Sequence, residues 1–196
     1  AEAFLYPEKN PPSQFPDIQQ AVDLIQQAIR TEEKICIWGD FDVDGQTSTA
    51  LLVQTLRSLN ADVVYYVPVR GKESHGVHIE SLKPIIDNGA KLLLTCDTGI
   101  TAHEAIDYAN SRGVDVVVTD HHDLGETLPN AKAIINPKLL SPNHPLANLA
   151  GVGVAYKLAE ALLIKNRKSE TENLLDLVAL GLIADVALLK GETRSL

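Results

Sequence analysis

Apolar residues in this chain fall into short runs of Val, Ile and Leu, separated by stretches in which they recur at helical spacing. Residues 34–38 (KICIW), 62–67 (DVVYYV), 91–95 (KLLLT), 114–119 (VDVVVT) and 131–135 read as strands. Ile18, Val22, Ile25 and Ile29 predict a helix capped by Asp17. Leu51, Leu52, Leu56 and Leu59 line one side of a second helix within TSTALLVQTLRSL. Helices are also predicted near 79–87 and 101–111, and, after the turn Asn136-Pro137-Lys138, over 153–166 and about 172–183. Buried strands alternating with helices predict an α/β fold, three-layered as α/β/α around a mainly parallel sheet and followed by C-terminal helices. Residues 1–33 read as a Pro-rich lead-in and one helix, and 34–196 as one domain.

The polar segments carry the chemistry. In open α/β sheets ligands bind beyond the carboxyl ends of the strands. The first predicted strand is followed by Asp40-Phe41-Asp42-Val43-Asp44-Gly45, the third by Asp97-Thr98-Gly99, and the fourth by Asp120-His121-His122. Asp and Gly are ordinary turn and cap residues, and any one of these segments alone is unremarkable. Five aspartates and two histidines delivered to one sheet edge are different. Clustered carboxylates repel one another, so a cation is needed to hold them together. Carboxylates with imidazole suit Mn²⁺ or Mg²⁺, and the ligand set lacks the Cys expected of structural zinc.

VVVTDHH resembles the motif of the DHH phosphoesterases. The ordered set IWGDFDVDGQTSTALL, TCDTGIT, VTDHH, IINPK, LAGVGVAYKL and LDLVALGLIADV resembles the RecJ exonucleases over roughly residues 34–194. The resemblance implies a five-stranded parallel sheet, two Mn²⁺ or Mg²⁺ ions, and a second, DHH-associated domain expected beyond GETRSL. It implies that Asp42, Asp44, Asp97, His121 and Asp185 are metal ligands, with Asp97 bridging. Asp40 would be a ligand or an orienting residue, Asp120 would orient the histidines, and His122 would contact the scissile phosphate or assist proton transfer. The implied activity is 5′ to 3′ hydrolysis of single-stranded DNA in repair and recombination. The alternatives are a DHH phosphoesterase acting on oligoribonucleotides, phosphoadenosine phosphate or cyclic dinucleotides, and a non-enzymatic replication-scaffold relative that has lost its metals.

Two departures stand out. Many DHH phosphatases carry a His where this chain has Trp38, which argues against a pyrophosphatase and leaves one ion with fewer protein ligands. The RecJ proteins usually carry an acidic residue and then Gly-Tyr-Gly where this chain reads RGKESHGVH, so His75 and His78 have no family role and read as loop surface. Arg70, His103 and the backbone of Gly151 and Gly153 are candidates for a substrate phosphate. Against these stand a solvated loop, a plain helix start and close helix packing, respectively.

Charge and composition set limits on this picture. The 196 residues carry a net charge of −9, and Lys and Arg form no stripe, so this chain alone lacks the basic groove of a strand-tracking protein. Cys36 and Cys96 lie inside apolar strands and read as buried thiols of a reducing cytoplasm. No signal peptide or apolar span appears, so no membrane is expected. The expected partners are single-stranded DNA and a single-strand DNA-binding protein, with the chain itself a monomer.

Overall fold

The computed structural model describes residues 14–168 and 173–196. Residues 1–13 of the Pro-rich lead-in and the expected helix start at 172 lie outside the described residues. The strands β1 (Lys34–Trp38), β2 (Val63–Tyr66), β3 (Ala90–Cys96), β4 (Asp115–Thr119) and β5 (Ala133–Ile135) form one sheet. Its order is β2-β1-β3-β4-β5, and every pairing is parallel. The helices are α1 (Ile18–Arg30), α2 (Val43–Ser58), α3 (Ile79–Asp87), α4 (His103–Ser111), α5 (Gly151–Lys165), α6 (Leu175–Ala184) and the short α7 (Glu192–Ser195). None of them is long and apolar enough to cross a membrane.

Strand side chains alternate between two cores, which is why the strands read as unbroken apolar runs. Ile35, Ile37, Leu92, Leu94 and Val117 pack with α1, α2, α5 and α6 on one face. Cys36, Trp38, Leu93, Val116 and Val118 pack with α3 and α4 on the other. Trp38 is fully buried against Tyr66, with ring centroids 4.4 Å apart, and its Nε1–H donates to Gly76 O at 3.1 Å. A strand-end tryptophan thus fixes the loop between β2 and α3.

The chain runs from β1 outward to β2, then crosses back to β3 on the other side of β1. The loops after β1 and β3 therefore part at the switch point of the sheet, leaving a crevice between them. Three local features differ from the sequence reading. The helix α2 starts at Val43, inside the acidic segment, with Asp42 as its cap. The helix α5 starts at Gly151, two residues early. Asp17 precedes α1 but makes no side-chain cap bond; its Oδ2 accepts the Ile134 N–H at 3.0 Å, tying α1 to β5.

Candidate metal centre

Asp40, Asp42, Asp44 and Asp120 are held by backbone donors. Asp42 Oδ1 accepts the Gly45 N–H at 2.9 Å, which starts α2 and leaves the other oxygen for the crevice. Two residues further on, Asp44 accepts the Gly151 N–H at Oδ2 (2.7 Å) and the Val152 N–H at Oδ1 (2.8 Å). The start of α5 therefore receives a carboxylate of this chain. Gly45 is required because a Cβ there would lie 2.6 Å from the Asp40 Cβ.

Asp97 leaves β3 with φ of +60°, a left-handed conformation that aspartate tolerates at some cost. Its N–H donates to Thr119 O at 3.0 Å, locking the turn to β4. The side chain is buried. Its Oδ1 stands 3.1 Å from His121 Nε2 yet accepts no hydrogen bond among the described residues. Burial, followed by the charges of Asp44 and Asp42, pushes the Asp97 carboxyl up to about 10. Asp44 is also raised, chiefly by burial. An orphaned carboxylate oxygen among buried acids is an unfavourable arrangement that a divalent cation would relieve.

Asp120 organises the last segment. Its Oδ1 accepts the backbone N–H groups of His121 (2.7 Å) and His122 (3.1 Å) and lies 2.7 Å from His122 Nδ1; its Oδ2 accepts the Ile100 N–H at 2.9 Å. Burial alone would raise this carboxyl, but the bonds from His122 and Ile100 outweigh it and leave Asp120 below its ordinary value. Hydrogen bonding to Asp120 lifts His122 to about 9, favouring the protonated ring. Among the described residues, potential ligand atoms lie within 4.8 Å of one another in three sets: Asp97, His121 and His122; Asp44, His121 and Asp185; and Asp40, Asp42 and His75.

Residues 34–182, with this Asp-His-His segment in the crevice, match the DHH family, N-terminal domain. The chain belongs to the DHH family. It is 44% identical over 183 residues to the single-stranded-DNA-specific exonuclease RecJ of Bacillus subtilis strain 168, covering 93% of this chain and 23% of that protein. A structure of exonuclease RecJ bound to manganese superposes with a TM-score of 0.85 at 38% identity, covering 92% of this chain and 46% of that one. RecJ from Thermus thermophilus in complex with Mn²⁺ superposes with a TM-score of 0.80 at 35% identity, covering 92% of this chain and 26% of that one. The chain thus spans about a quarter of the length of the Bacillus relative.

Within this DHH centre the remaining candidates divide. Asp185 reaches Asp44 and His121 from the end of α6, although its apolar neighbours Ile183 and Val186 are exposed and not core. Gly181, one turn earlier, makes that reach possible: a Cβ there would lie 2.5 Å from Thr47 Oγ1 and 3.0 Å from Asp44 Oδ1. Arg70 faces a cavity of about 420 Å³ lined also by Phe41, Asp42, Asp44 and Asp185. Its guanidinium lies 4.6 Å from the centre of the Phe41 ring. The Gly151 N–H is engaged by Asp44 and is not a free phosphate donor. Gly153 is buried, and a Cβ there would lie 2.9 Å from Leu149, so it serves close packing. His103 opens α4, half-buried, outside the three ligand sets. The residue that the sequence reading left out is His75, whose Nδ1 lies 2.5 Å from Asp40 Oδ2. Its departure from the family pattern was the available signal.

Proposed function

We propose that this chain is the catalytic portion of a metal-dependent exonuclease acting on single-stranded DNA. The observation that carries this reading is Asp97, whose buried Oδ1 lacks a hydrogen bond while it sits between acids on two sides. The similarity to the Bacillus protein and to the manganese-bound structure supports this substrate class and this metal. Asp44, Asp97, His121 and Asp185 would hold one divalent cation, and Asp42 with Asp97 a second, the ions being Mn²⁺ or Mg²⁺. When bound, such a pair lowers the pKa of water and stabilises charge on the phosphate and leaving oxygen.

The chain's own residues then do the positioning. Asp120 grips both backbone N–H groups of the histidine pair and fixes the His122 ring through Nδ1, leaving Nε2 for a phosphate oxygen. The protonation that Asp120 favours in His122 suits contact with an anion and donation of a proton to the departing oxygen. Arg70, at the rim of the cavity, would hold a substrate phosphate.

The test is digestion of single-stranded DNA, labelled in turn at the 5′ and 3′ ends, by the full-length protein in Mn²⁺. Early release of 5′-labelled mononucleotide, abolished in Asp97→Ala, is the expected result. Faster cleavage of dinucleotides than of polymer would favour the small-substrate phosphoesterase. No hydrolysis of either substrate would end the enzymatic reading.

A further inference from the structure

Two of the ligand sets flank Asp97, and each contains one imidazole. Asp44, Asp185 and His121 make up the first; Asp40, Asp42 and His75 make up the second. We propose that His75 is a ligand of the second divalent cation, forming with Asp40 and Asp42 a nitrogen-containing site beside Asp97. The inference rests on the metal-dependent reading above and assigns a residue that lies outside the strand-end segments.

Geometry supports it on both sides of the contact. Asp40 is 2% exposed, and its Oδ1 accepts the Phe41 N–H at 2.6 Å; its other oxygen, 2.5 Å from His75 Nδ1, is the one a cation would share with that imidazole. Asp42 uses one oxygen on the Gly45 N–H and keeps the other. Asp97, 1% exposed and with Oδ1 free of hydrogen bonds, is near enough to Asp42 to feel its charge. Three carboxylates at this spacing need a positive partner, and an exposed imidazole is a weak one unless it binds a metal with them.

The loop presenting His75 is also built rather than loose. Trp38 Nε1–H holds Gly76 O, the residue next to His75. Glu73 accepts hydrogen bonds from Tyr66 Oη (2.6 Å), the Val69 N–H (3.0 Å) and Ser81 Oγ (2.7 Å). The Phe41 ring packs on the His75 ring with centroids 4.1 Å apart. A ligand held in this way loses little freedom when it binds a metal. The side chain is 63% exposed, which leaves space for water to complete the coordination. Imidazole is softer than carboxylate, so His75 should bias this site toward Mn²⁺ over Mg²⁺.

The experiment is a Mn²⁺ titration of the metal-stripped chain, with free Mn²⁺ read by electron paramagnetic resonance. The wild type should bind two ions. His75→Ala should bind the first unchanged and the second at least about tenfold more weakly, the loss that even an outer partner of a ligand causes. Mg²⁺ affinity should fall less. His75→Gln keeps a polar group for Asp40 but loses the imidazole, so it should behave like Ala; rescue by Gln would reduce His75 to a positioning residue and overturn the assignment. His78→Ala should match wild type. Pulsed resonance on the Mn²⁺-loaded protein should show nitrogen coupling from two imidazoles in wild type and from one in His75→Ala. Equal binding of the second ion in wild type and His75→Ala would sink the His75 assignment alone, whereas a wild type that binds no Mn²⁺ would sink the metal-dependent reading with it.

Discussion

Gly151 lies so close to Asp97 that a Cβ on the glycine would come within 2.5 Å of the Asp97 Oδ1. The start of α5 cannot simply retreat, because the Gly151 N–H also holds Asp44 at 2.7 Å. One glycine therefore brings two acids from different strand ends together. Gly151→Ala should displace one or both and cut the hydrolytic rate by about 100-fold, the scale of an ångström-sized misplacement. Mn²⁺ titration should show weakened binding while far-ultraviolet circular dichroism stays native. Unchanged Mn²⁺ affinity would show that the crevice can accommodate the methyl group.

Asp97 makes the metal-free fold depend on pH in a defined direction. Burial and the neighbouring acids raise its carboxyl from 3.8 in the unfolded chain to about 10 in the fold. A raised folded pKa means the folded chain keeps a proton that the unfolded chain releases. Its contribution is fully present below 3.8 and is lost progressively as pH rises toward about 10. In chelator, stability should therefore decline through the neutral range, and Asp97→Asn should flatten that decline while abolishing Mn²⁺ stabilisation. Denaturant melts at several pH values, with and without Mn²⁺, read both effects. A wild type and an Asn variant with the same pH slope would show that Asp97 is not the group responsible.

The strands were legible because both faces of the sheet are covered, so β3 and β4 appear as unbroken apolar runs bounded by Asp and Gly. Asp40, Asp42, Asp44, Asp97 and Asp120 were legible because parallel topology sends the residues after each strand to one edge. Contacts between segments distant in sequence were not. Nothing local indicates that Asp44 caps a helix 107 residues away, or that His75 meets Asp40 across 35 residues. The start of α2 was hidden because its first turn, Val43-Asp44-Gly45, reads as a loop. The placement of Asp185 is not local either: its apolar neighbours Ile183 and Val186 face outward, and its carboxylate meets Asp44 and His121 from far along the chain.

Glu73 is the keystone of the β2–α3 loop. The Tyr66 hydroxyl, followed by the Val69 N–H and Ser81, holds its carboxyl down at about 2, from an ordinary value of 4.5. A depressed folded pKa gives stability that is present above 4.5 and lost as pH falls toward about 2. Glu73→Gln should remove that acid-sensitive component and loosen the loop carrying Arg70 and His75, while β1 and the DHH segment remain in place. Hydrogen exchange should speed up across residues 69–81 and stay unchanged in β3 and β4. Native protection of the loop in the variant would assign its order to Trp38 instead.

A buried charge pair joins α5 to α7. Lys157 and Glu192 are both fully buried, and Lys157 Nζ lies 2.6 Å from Glu192 Oε1 and 3.1 Å from Glu160 Oε2. This pair fastens α7 to α5, the helix whose first turn grips Asp44. Desolvating two charges consumes most of their attraction, so the intact pair adds little net stability, but removing one member takes from the other its partner at 2.6 Å while the remaining charge stays buried. Glu192→Ala should cost about 3–5 kcal/mol, the range for breaking a buried pair. Replacing both at once, Lys157→Met with Glu192→Leu, should cost much less, because neither side then buries an uncompensated charge. Denaturant melts of the two single variants and the double variant form a cycle whose coupling term isolates the pair. A double variant as unstable as the sum of its singles would show that the two residues act independently and that α7 is held by something other than this bond.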